Sequence, residues 1–71
     1  MALSDTIRIL LIKRGNISEA ELARRLGISP QSLNSKMKRD NFCERDLQAI
    51  AHTLDCTLNI NFKLNDTGEV V

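Results

Sequence analysis

Residue types able to do covalent or metal chemistry are few and poorly grouped in this chain. The one histidine, His52, stands beside Ala51 in an apolar-periodic stretch, with no carboxylate or nucleophile pattern around it. The two cysteines, Cys43 and Cys56, are thirteen positions apart, form no C-x-x-C pair, and with a single histidine do not complete a four-ligand zinc site. They read as free thiols in a reducing compartment. No serine sits in a nucleophile elbow or beside a base. Catalytic, metal and cofactor roles are therefore not expected. What remains is hydrogen-bonding and charge chemistry, concentrated in "LARRLGISPQSLNSKMKRDNF", Leu22 to Phe42, which holds Arg24, Arg25, Lys36, Lys38 and Arg39 against one acid, Asp40.

That concentration is hidden in the overall charge of +1. Residues 1–39 hold eight Lys/Arg against Asp5, Glu19 and Glu21, a net +5, whereas residues 40–71 hold Arg45 and Lys63 against six acids, a net −4. One part of a small body can thus present a positive face. Seventy-one residues make one domain at most. A chain this short buries a modest fraction of its surface, so it needs idealised helices or a partner chain. No apolar run approaches the roughly twenty residues that span a bilayer, and no export signal opens the chain, so a cytoplasmic location without membrane contact is expected. The only aromatics, Phe42 and Phe62, make no stacking platform for single strands.

The elements that would position the basic stretch follow one grammar. An apolar residue, a small polar cap and a second apolar residue five positions after the first make an N-cap with a hydrophobic staple. Ile17-Ser18 with Leu22 fits, as do Ile28-Ser29 with Leu33 and Phe42-Cys43 with Leu47. Ser18 and Glu21 spell a capping box, and Pro30 stands at a first helical position. Gly15 and Gly27 act as stops. Four helices are expected, at about 4–14, 19–26, 30–38 and 44–54, with Ser4-Asp5 opening the first. Apolar spacing then switches to a period of two: Cys56, Leu58, Ile60, Phe62 and Leu64 alternate with Thr57, Asn59, Asn61 and Lys63. This predicts a β-strand over 56–65, after a domain at 1–55 and before a flexible tail at 66–71. A lone strand lacks a partner in its own chain, so antiparallel pairing across a two-fold axis is expected, with Leu58, Ile60 and Phe62 at the dimer interface.

Helices two and three are joined by only Gly27-Ile28-Ser29, so they must cross steeply. Ala23 gives the room this needs, and the pair reads as a helix-turn-helix. "SEAELARRLGISPQSLNSKMK" resembles the helix-turn-helix of the lambda repressor and Cro-like family, including small Xre-type regulators. Ala23, Gly27, Ile28 and Leu33 carry the likeness, with Leu22 and Leu26 as core. Three features depart from that family: Glu19 where glutamine often opens helix two, Lys36 where an apolar residue is usual, and a strand in place of a fifth helix.

The resemblance implies a mainly α, four-helix lambda-repressor-like domain that binds double-stranded DNA as a homodimer on an inverted repeat and regulates transcription. The third helix would enter the major groove with its N-terminal turns toward the bases. Pro30, Gln31, Asn34 and Ser35 are then the base-contacting set, because Gln and Asn bond adenine twice, Ser bonds either base type, and Pro offers an apolar contact. Ser18, Lys36, Lys38, Arg39 and Asn41 are the phosphate-contacting set. Arg24 and Arg25 suit both the helix dipole and a DNA contact, while Arg8, Lys13 and Arg14 read as solvated cations. The rival expectation is an antitoxin-like or adaptor protein that uses the same scaffold to bind a protein partner.

Overall fold

A computed structural model of the protein describes residues 2–71; Met1, the first residue of the expected domain, lies outside them. The chain is mainly helical: α1 (Leu3–Lys13), α2 (Glu19–Leu26), α3 (Pro30–Arg39) and α4 (Glu44–Thr53). No helix among the described residues is long and apolar enough to cross a membrane. The apolar stripes converge on one core. Ile7 and Leu11 come from α1, Leu22 and Ala23 from α2, Leu33 and Met37 from α3, and Ile50 and Ala51 from α4, with Leu54 just beyond it. Leu22 and Leu33 are completely enclosed, the pair around which the other side chains pack.

The N-caps expected for α2 and α3 form. Ser18 Oγ accepts from the Glu21 backbone N–H (3.0 Å) and Ser29 Oγ from that of Ser32 (3.1 Å). Glu21 does not complete a capping box, because its carboxylate turns along the helix to Arg24 and Arg25. At α4, Cys43 and Asp46 form a capping box in which the Asp46 carboxylate accepts from Cys43 N–H (3.1 Å). Neither Ser4 nor Asp5 caps α1, whose N-cap residue is Ala2 with no side-chain bond. Its first amides are instead taken by a residue far along the chain: Asp40 Oδ1 accepts from Ser4 N–H (2.7 Å) and Oδ2 from Leu3 N–H (3.3 Å). Asp40 is also the C-cap of α3, held left-handed at φ 52°.

The β-strand expected over 56–65 is absent among the described residues. The alternating pattern is real, but an extended segment becomes a strand only when a neighbour accepts its ladder. Here the chain supplies only its own end. Leu64, Asn65, Asp66 and Thr67 lead into Gly68 at φ 77°, whose N–H bonds the Leu64 carbonyl (2.8 Å). Phe62 and Val71 then exchange two backbone hydrogen bonds (3.1 and 2.7 Å) around an isolated antiparallel bridge, Lys63 with Val70. The segment expected as a tail at 66–71 is thus the return arm of a short hairpin.

This arm lies off the body. Leu58 is half-buried beside α1 and α4, but every residue from Asn59 onward is exposed, Phe62 at 79% and Ile60 at 58%. The radius of gyration is 13.6 Å with a long axis of 43 Å, whereas a compact chain of this length has about 11 Å. Arg14 fixes the root of the arm: its guanidinium donates to the Asp55 carbonyl (3.0 Å), where the backbone turns left-handed at φ 56°. The arginine read as a solvated cation is therefore a tie between α1 and the end of α4.

Candidate nucleic-acid interface

The corner between α2 and α3 is built by Gly27. It takes φ 74°, a left-handed conformation that costs glycine little. Its N–H reaches the Arg24 carbonyl (3.2 Å) and the N–H of Ile28 reaches that of Ala23 (3.0 Å), so the chain reverses within one turn. Ile28 packs into the corner, and Ser29 and Pro30 start the next helix at once. Ala23 has no exposed surface. These are the parts of a helix-turn-helix.

On α3, Leu33 and Met37 face the core, and the opposite side is free. Pro30, Gln31, Asn34 and Ser35 line one shallow, open concavity together with Lys38, all of them exposed. The four expected base-contacting residues are therefore brought onto a single face, with one cation among them. Among the described residues, the side chains of Gln31, Asn34, Ser35 and Lys38 make no hydrogen bond, so their donors and acceptors are available to an external partner.

The expected phosphate-contacting residues divide. Arg39 and Asn41 are exposed at the C-terminal end of α3, and Ser18 is exposed at the start of α2 with its Oγ accepting the capping bond. Lys36 stands apart. It lies on the flank of α3 toward α4, where its Nζ donates to Asp46 Oδ2 at 3.0 Å, and it lines a depression with Leu26, Ile28 and Phe42 rather than the polar concavity. The Cys43 N–H and then Lys36 lower the pKa of Asp46, so this carboxylate is a firm anchor. Lys36 thus ties α3 to α4 through an ion pair.

Two more cations of the basic stretch are engaged close by. Arg24 Nε donates to Glu21 Oε1 (2.8 Å) while its Nη2 meets Oε2, and Arg25 Nε donates to Oε2 (2.8 Å). These bonds, that from Arg24 first, hold the Glu21 carboxyl down to about 2. Arg8 similarly bridges Asp5 (3.3 Å) and Glu19 (3.6 Å). The only acid of residues 22–42, Asp40, is committed to the amides of α1. Lys38 and Arg39 are left as the cations of α3 that make no ion pair among the described residues. Among the same residues no cluster of His, Cys, Asp or Glu is arranged to hold a metal ion.

Sequence reasoning overlooked Asp40 and Arg14 as structural ties. Asp40 had a legible sign, an acid immediately after a helix with basic residues in its last turn, but its partners lie 36 and 37 positions away. No local pattern points to them.

No curated protein and no solved structure matches the chain. Residues 7–39 match the family model of winged helix-turn-helix DNA-binding domains. The matched span runs from the middle of α1 to the last residue of α3 and leaves α4 and the arm outside it. Geometry and comparison agree on a helix-turn-helix formed by α2 and α3.

Proposed function

We propose that the protein is a sequence-specific double-stranded DNA-binding regulator of transcription. The observation that carries this reading is the exposed α3 face on which Pro30, Gln31, Asn34 and Ser35 stand together around Lys38. Two carboxamides side by side suit adenine edges, and a cation among them suits the phosphates that flank a groove. Docked by α3, the protein acts by occupying its site, without chemistry or a cofactor. The packing of Ile50 and Leu54 in one core with the helix-turn-helix supports the lambda repressor and Cro-like, Xre-type arrangement.

The uncovered arm favours a homodimer joined through Ile60 and Phe62, with Leu58 at its root. It would span an inverted repeat with half-sites about 34 Å apart. The same arm also supports the rival reading of an adaptor or antitoxin-like protein whose partner is another protein.

Selection of duplexes from a random pool tests the proposal. Retained fragments should share an inverted motif, and Gln31→Ala should relax that motif while non-specific binding persists. Retention without any common motif would reject sequence specificity, and affinity indifferent to salt would favour the adaptor.

A further inference from the structure

Besides the burial of Leu33 and Met37 in the core, three ties hold α3 to the rest of the molecule. The Gly27 turn joins it to α2, the Lys36–Asp46 pair joins it to α4, and Asp40 joins its C-terminal end to α1. The third tie is the unusual one. It places a carboxylate two residues beyond Lys38, on the one helix whose other charges are all positive, and it holds a non-glycine residue at φ 52°. A carboxylate there works against phosphate attraction, and a left-handed C-cap is ordinarily better served by glycine. What the carboxylate provides is a fixed distance: two backbone amides of α1, at 2.7 and 3.3 Å, grip the end of the helix that carries Gln31 and Asn34.

Bidentate contacts to bases tolerate displacements of only about 0.5 Å. On the DNA-binding reading above, we infer that Asp40 is a positioning residue for sequence discrimination. It gives up non-specific attraction to phosphate in exchange for a fixed orientation of α3.

The experiment compares wild type, Asp40→Gly and Asp40→Asn on a preferred duplex and a scrambled one. Glycine accepts the backbone angle but not the two amides, so the chain should still fold. Its affinity for the scrambled duplex should hold or rise, and the preferred-to-scrambled ratio should fall about tenfold. Asparagine, which also tolerates φ above zero and keeps an acceptor, should restore most of the ratio. An unchanged ratio in Asp40→Gly would overturn the inference. So would equal losses on both duplexes, which would assign Asp40 to folding alone. If wild type binds no duplex, the DNA-binding reading itself fails and takes this inference with it. If wild type discriminates and Asp40→Gly does so equally well, only the role of Asp40 is lost.

Discussion

Lys36 and Lys38 are two positions apart on the same helix, yet the structure gives them opposite environments, so their alanine variants should separate cleanly. Lys38 lies in the polar concavity of α3 and makes no ion pair, whereas Lys36 is held by Asp46 at 3.0 Å on the α4 side. Each phosphate neutralised on a duplex contributes about −0.9 to the slope of log affinity against log salt. Removing Lys38 should therefore flatten the slope by about 0.9 and weaken binding about eightfold near 0.1 M salt, for preferred and scrambled duplexes alike. Removing Lys36 should leave the slope unchanged. Its effect should appear in stability, at about 0.5 kcal/mol, because the pair is partly solvated and Asp46 keeps its bond from Cys43 N–H. Fluorescence anisotropy of a labelled duplex, titrated from about 50 to 200 mM salt, gives the slopes, and urea melts give the stabilities. Equal flattening by the two variants would refute the division of roles, as would a Lys38→Ala protein with the wild-type slope.

Gly27→Ala should destabilise the fold by about 1 kcal/mol from backbone strain alone, because an added Cβ meets no atom within 4 Å; a urea melt measures it. Glu21, lowered from 4.5 to about 2 in the folded chain, contributes stability that is fully present above the higher value and lost as pH falls through the lower one. Wild type should thus lose more stability between pH 5 and pH 2 than Glu21→Gln, whose side chain does not titrate, as denaturation curves at the two pH values measure. Ile60→Lys, which places a charge on the exposed arm, should give monomers in sedimentation if the arm joins two copies, and an unchanged mass would reject that interface.

The local grammar of the chain translated well into structure because capping and turn chemistry act over a few residues. Ser18, Ser29, Pro30 and Gly27 behave as their neighbours dictate, and the helix limits follow within a residue or two. Relations that depend on how helices cross were not legible. Lys36 faces α4 because of the angle at which α3 leaves the Gly27 corner, and Asp40 meets α1 because four helices close on one core. The C-terminal difference has another origin. Asn65-Asp66-Thr67-Gly68 is a turn signal with glycine at the left-handed position, and it lies between two apolar pairs, Phe62/Leu64 and Val70/Val71. Read as a tail, it concealed the partner that the alternating segment has among the described residues.

Among the described residues every buried side chain lies at or before Leu54, and every residue from Asn59 onward is exposed. The molecule is therefore modular in an engineering sense. The last twelve residues can be exchanged for a designed coiled coil without repacking the helical body. The spacing between two copies of α3 joined in this way then becomes a linker length that can be chosen independently of the residues on either helix.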